Sequence, residues 1–245
     1  MSMLVIDIAA VPDTDLGARL YNLTDLSPAD IARVMYTKNR ERGQGEDLPL
    51  AMQKIFGISC LLYDGEKIRI FSPAPCESSE EDLLNGLRTI IADEDVNRII
   101  AWDGNRFAYP LLKLRYLAHT LVSPLTHAVA CSDLSVELSS MNTAGNDMSL
   151  HEVSVLCGFP GNAGMSANAT WKAYRAGSHS EICANSDLNV INCWLVYLNW
   201  RYATGSIDTT SLAKEHDLLQ ENLRMMDKTH LADFARQWMD SAIRQ

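Results

Sequence analysis

The sequence predicts a single α/β domain built on a mixed sheet, and three observations carry that prediction. Short apolar runs recur along the chain and are bounded by turn residues. One pair of runs is joined by Asp64-Gly65, a tight hairpin signal that sets those two strands antiparallel. The remaining runs alternate with segments of helical period, so the order reads β-α-β-β-α-β-α-β-α-α-α. With 245 residues the chain buries one sizeable core or at most two small ones. No internal repeat or low-complexity linker divides it, and residues 1–245 are taken as one domain.

The elements follow in order. Leu4 to Ile8 is a continuous apolar strand, expected at the centre of the sheet. Ser27-Pro28 opens a helix to about Asn39, with Ser27 as cap and Pro28 at the first helical position. Arg40 to Pro49 is polar and reads as a mobile loop. Lys54 to Asp64 and Lys67 to Phe71 form the hairpin strands. Leu83, Leu84, Leu87, Ile90 and Ile91 recur at helical spacing behind Ser79, and Glu80, Glu81 and Asp82 suit the positive helix end. Arg98 to Trp102 is a buried strand, Phe107 to His119 a helix, and Ala128 to Leu134 a short extended segment. Leu150 to Cys157 is a helix stopped by Gly158, followed by a Gly/Pro loop from Pro160 to Ser166. Helices around Ala169–Ala176, Ser186–Thr204 and Thr229–Ile243 complete the chain.

Composition narrows the function. Hydrophobic residues make up 47% and charged residues 21%, ordinary values for a soluble globular protein. The formal charge of −10 repels phosphate backbones, so nucleic-acid binding requires a local basic groove. Six cysteines show no CxxC pair and no Cys/His metal spacing, so buried reduced thiols are expected. The N-terminus lacks a basic stretch followed by an apolar one, and no run of about 18 apolar residues exists to cross a bilayer. No membrane role is expected, and the location expected is the cytoplasm.

Several stretches together resemble one family. Val5-Ile6-Asp7-Ile8 with Val11-Pro12-Asp13 is similar to a first motif D-I-E-T-V-P-D. Asp103-Gly104-Asn105-Arg106-Phe107-Ala108-Tyr109-Pro110 resembles a second, N-G-x-x-F-D-x-P. Asp133-Leu134 matches a D-L after the next strand, and Leu156 to Gly161 resembles an L-G-x-P-G-K turn. Asn185 to Cys193 resembles a third motif, Y-C-E-x-D-V-x-N-T. The chain is thereby identified as similar to the predicted 3′–5′ exonucleases related to the proofreading domain of family B DNA polymerases, from Leu4 to about Trp238. The resemblance implies the ribonuclease H-like (DnaQ-like, DEDD) fold, with a mixed central sheet flanked by helices. It also implies a site where carboxylates hold two divalent cations, one activating water and the other stabilising the leaving oxygen.

Against that pattern the acids are mostly gone. Asp7 is the sole retained carboxylate and the sole expected metal contact, a weak one. Ala9 stands where the first motif has Glu, and Ala108 where the second has Asp. Asn189 stands for the Asp of the third motif, Asn185 for its Tyr, and Asn162 for the turn Lys. Alanine cannot ligate a metal, and asparagine offers only a neutral oxygen. No resident cofactor is therefore expected, and Mg2+ or Mn2+ enters only with residual activity. Asp103 is a candidate substitute ligand or a helix-cap residue, and Asp13 could approach the site from the loop after the first strand. Asp187 lies about 200° around the helix from Asn189 and is expected to point away as a solvated charge.

The expectation is a catalytically degenerate homologue, a pseudo-nuclease that binds single-stranded DNA or RNA or a protein partner, or self-associates. The alternative is a weakly active metal-dependent exonuclease using Asp7 and substitute ligands. Arg106, Lys113 and Arg115, with Tyr36 and Tyr109 as stacking residues, are the candidate nucleic-acid contacts. Trp194, Trp200 and Trp238 are expected in the core, and the final helix is expected to pack on its own domain rather than on a neighbour.

Overall fold

The fold was obtained as a computed structural model, which describes residues 2–43, 47–75, 77–139 and 148–242, the last two without side chains. Five strands form one sheet in the order β3-β2-β1-β4-β5. They are β1 (Ser2–Pro12), β2 (Gln53–Tyr63), β3 (Ile68–Phe71), β4 (Val96–Ala101) and β5 (Ala130–Asp133). β2 runs antiparallel to β1 and to β3, while β1, β4 and β5 are mutually parallel. This mixed order, with one reversed strand beside a central β1, is the ribonuclease H-like arrangement that the motifs imply.

Side chains alternate across the central strand, and that alternation builds two cores. Leu4, Ile6 and Ile8 face one way, onto α3 (Glu80–Asp93) and α4 (Tyr109–Ala118) through Leu84, Leu87 and Leu112. Val5 faces the other way, onto the long α8 (His179–Ala203), α9 (Thr209–Met225) and α10 (Thr229–Ala242). The same period puts Asp7 and Ala9 on the α8 side. The strand pairing shifts register between Ala9 and Ala10, beside this position.

The structure departs from the sequence reading at several elements. A short α1 (Thr14–Tyr21) follows β1 directly, capped by Asp13, whose carboxylate accepts from the Leu16 amide at 3.0 Å. α2 (Pro28–Glu41) starts on Ser27 as expected and runs two residues further. Of the expected loop from Arg40, residues 44–46 lie outside the described residues, as do Cys76 and Ile243. A helical turn α5 (Leu134–Ser139) begins where extended chain was expected. α6 (Leu150–Leu156) and α7 (Ala167–Arg175) fall close to expectation. α8 begins seven residues earlier than its apolar period indicates, because before Ser186 it buries Ile182 alone and otherwise borders open space.

Trp194 and Trp238 are buried, and Leu231, Phe234 and Ala235 seat α10 on the core, so this face is used within the molecule. Of the five described cysteines, Cys60 and Cys193 are buried, Cys131 is exposed, and Cys157 and Cys183 are intermediate, so burial is less general than expected. No helix among the described residues is long and apolar enough to cross a membrane.

Candidate functional site

A cleft of about 650 Å³ opens where β1, α8 and the turn after β4 meet. Asp7 and Ala9 line it from β1, Asp103 and Arg106 from the turn, and Asn185 and Asn189 from α8. Tyr36 from α2 and Phe107 also border it. The two asparagines stand four residues apart, one helical turn, and therefore share a face.

The turn after β4 is a five-residue π-helical segment, Gly104–Ala108. Asp103 enters it with φ of 52°, a left-handed conformation tolerated by Asp better than by most residues. Buried Asp133 anchors the segment by accepting from the Asn105 amide at 2.7 Å, and also accepts from the Ser135 hydroxyl at 2.7 Å. A Cβ on Gly104 would sit 2.5 Å from the Tyr109 ring, so the turn needs glycine there. Arg106 is carried to the rim, where its guanidinium pairs with Asp103 at 2.8 Å and stays largely exposed.

The floor of the cleft is a chain of amides. The Asn162 amide donates to Asn189 Oδ1 at 2.8 Å, to Asn185 Oδ1 at 3.0 Å and to the Asn185 carbonyl at 3.2 Å. The Asn189 amide in turn donates to Asp7 Oδ1 at 3.3 Å. Three asparagines and one carboxylate thus satisfy one another. Burial pushes the Asp7 carboxyl up to about 6; hydrogen bonds from Ser186 and Asn189 oppose the rise, and the charge of Asp187 adds to it. Asp7 keeps some solvent exposure, but the cleft walls pack closely enough to strip most of its hydration.

These donors do not fit a pair of divalent cations. Magnesium is held by one or two carboxylates together with waters and substrate phosphates, so a pair of ions calls for more than one converging carboxylate. Asp7 supplies one carboxylate, and the side-chain oxygen of Asn189 already accepts from Asn162. Ala9 packs its methyl among Ile182, Ala173 and Met165, an apolar lining where the motif has an acid. Ala108 lies in the core with Ile8 and Leu112 rather than on the cleft wall. Asp103 reaches the cleft but is paired with Arg106 at 2.8 Å. No cluster of three or more His, Cys, Asp or Glu suited to a metal occurs among the described residues.

Several candidate contacts move away from the cleft. Tyr109 is buried, and its hydroxyl donates to the carbonyls of Ser132 at 2.6 Å and Ile99 at 3.1 Å, so its ring cannot stack on a base. Arg115 is buried between Asp13 at 2.9 Å and Glu80 at 2.6 Å, a structural ion-pair group that also takes Asp13 out of reach of the site. Lys113 is exposed on α4 but does not border the cleft. Asp187 points away as expected, yet it is buried rather than solvated, because Ser59, Lys228 and His230 all reach it. Ser186 and the apolar wall of Ile182 and Met165 were not foreseen; only adjacency to Asn185 marks Ser186 in the sequence.

Comparison with known proteins agrees with this architecture. Residues 125–238 match the family described as predicted 3′–5′ exonucleases related to the exonuclease domain of PolB. Among solved structures, the family B DNA polymerase from the hyperthermophilic archaeon Pyrobaculum calidifontis superposes with a TM-score of 0.53 and 11% identity. The match covers 82% of this chain and 24% of that one, so the likeness is one of fold and the chain spans about a quarter of the polymerase. A search of curated proteins found no match.

Proposed function

We propose that this protein is a catalytically degenerate exonuclease homologue that holds single-stranded nucleic acid in its cleft without efficient hydrolysis. One observation carries the reading: in the cleft between β1 and α8, Asn162, Asn185 and Asn189 close a neutral hydrogen-bonded network onto the Asp7 carboxylate. A cleft with four carboxylates repels phosphate in the absence of metal. Here the Asp7 carboxyl is raised to about 6 and Asp103 is paired with Arg106, which leaves Asp47 as the third carboxylate of the lining, so the repulsion is weaker. Arg106 at the rim provides a cation, and Tyr36 and Phe107 provide ring faces for bases.

The test is fluorescence anisotropy of labelled DNA and RNA oligonucleotides in a chelator. Binding without divalent metal, weakening steeply with salt, is the expected result, and Arg106→Glu weakens it by about tenfold or more. Absence of binding at low salt overturns the reading and moves attention to a protein partner, whose apolar contacts resist salt. A parallel time course of end-labelled oligonucleotides with magnesium or manganese, run beside Asp7→Ala, addresses the weak-enzyme alternative. Stepwise 3′ shortening that disappears in Asp7→Ala would establish that alternative in its place.

A further inference from the structure

Behind the cleft lies a second cavity of about 680 Å³, bounded by β2, the end of β3, the first turns of α8 and the link between α9 and α10. Its walls are mostly carbon: Ile58, Ile70, Phe71, Pro73, Pro75 and Ile182. At one end stands a polar cluster that the nuclease reading does not use. Asp187, buried to 4% exposure, accepts from the Ser59 hydroxyl at 2.8 Å, from Lys228 Nζ at 2.8 Å and from His230 Nε2 at 3.1 Å. The volume falls in the range of small-molecule sites, which pair an apolar body with a few convergent polar groups.

We propose that this cavity binds a small amphipathic anion, an aromatic or aliphatic body carrying a carboxylate or phosphate head. Three observations fix that chemistry. At the polar end Ser59 and His230 Nε2 are directed at Asp187, and the Lys228 ammonium is the group with N–H donors to spare. An ammonium carries three donors, and Asp187 engages one of those on Lys228. Lys228 remains 42% exposed at the side chain and can turn to a ligand while Ser59 and His230 keep Asp187 hydrogen-bonded. The apolar walls then take the body of the ligand, so a fully hydrated inorganic ion gains little there.

The experiment uses the intact chain and anilinonaphthalene sulfonate, a fluorescent aromatic anion. A saturable enhancement at one probe per chain is expected. Lys228→Gln, which keeps a donor for Asp187 and removes the charge, weakens it by about tenfold. Ala184→Phe, which fills the cavity from α8, abolishes it with the far-ultraviolet circular dichroism unchanged. Displacement by naphthoate against naphthyl phosphate then distinguishes a carboxylate from a phosphate head. Enhancement that does not saturate, that survives Lys228→Gln undiminished, or that is displaced equally well by uncharged naphthyl methanol overturns the proposal. Should Ala184→Phe fail to fold, Lys228→Gln and the displacement series decide alone.

Discussion

Asp7 shows how burial among neutral partners raises a carboxyl. Its carboxyl moves from an ordinary value of 3.8 to about 6, because burial penalises the charge and only amides and a hydroxyl remain to offset it. In that window the folded chain binds more protons than the unfolded one, so stability falls as pH rises. The contribution is fully present below the ordinary value and lost above about 6. Asp7→Asn removes the penalty. It should melt higher than the parent at about pH 8, by on the order of 2 kcal/mol, and converge with it near about pH 4. Thermal denaturation at both pH values checks this; a difference independent of pH would mean that Asp7 is hydrated like a surface carboxylate. That Asp7, Ala9, Asn185 and Asn189 share one cleft was legible in the sequence, because alternation along a strand and one-turn spacing along a helix fix which residues meet on one face. The partners of Tyr109 and Asp187 were not. The two carbonyls that hold the Tyr109 hydroxyl belong to neighbouring strands, and Lys228 and His230 reach Asp187 from more than forty residues further along the chain.

Elements are positioned by a few polar ties that local pattern does not disclose. Arg115 on α4 joins Asp13 at the end of β1 to Glu80 at the start of α3, and Glu80 Oε1 also accepts from the Ile55 amide on β2 at 2.6 Å. All three charged side chains are at most 11% exposed. Arg115→Leu leaves Asp13 and Glu80 buried without their shared guanidinium, with only His119 at 2.9 Å still beside Glu80, and should cost about 3–5 kcal/mol in urea denaturation. A loss below about 1 kcal/mol would mean that water enters and solvates the pair. The loop before α7 offers a second case. Gly161 has φ of 71°, and a Cβ there would sit 2.5 Å from His151 Nδ1. Gly161→Ala should cost on the order of 2 kcal/mol through left-handed strain and that clash, and should displace Asn162 from its partners. Amide chemical shifts of Asn185 and Asn189 that stay unchanged in the variant would separate the loop from the network. The strands and the longer helices were legible because their apolar periods are strong. α1 and α9 were missed for opposite reasons: α1 is two turns long with Gly17 inside it, and α9 buries only Glu215, Leu219 and Leu223 along seventeen residues.

At the scale of the molecule, the positions where the resembled motifs carry acids hold neutral side chains with partners of their own. A cluster of carboxylates on β1, the π-helical turn and α8 destabilises a folded chain unless cations neutralise it. Here Ala9 joins the apolar contacts of Ile182 and Met165, Ala108 joins the core, and Asn162 ties Asn185 and Asn189 together. Acids at those positions should make the fold depend on metal. The combined variant Ala9→Glu, Ala108→Asp, Asn185→Tyr and Asn189→Asp adds carboxylates at positions 9 and 189 on the Asp7 side and a third at position 108, in the core with Ile8 and Leu112. Without metal it should be less stable than the parent by several kcal/mol, roughly 3–6, from desolvation and mutual repulsion. Magnesium should raise its melting temperature in proportion to the logarithm of concentration and leave the parent unchanged, because only a state that binds the ion is stabilised by it. Titration calorimetry detects the uptake directly. A variant that folds yet takes up no magnesium would place the change in the backbone rather than in the side chains: the α8 face and the turn around Asn162 would have settled too far from β1 for carboxylates to converge, and loss of the acids would have been followed by loss of the geometry that served them.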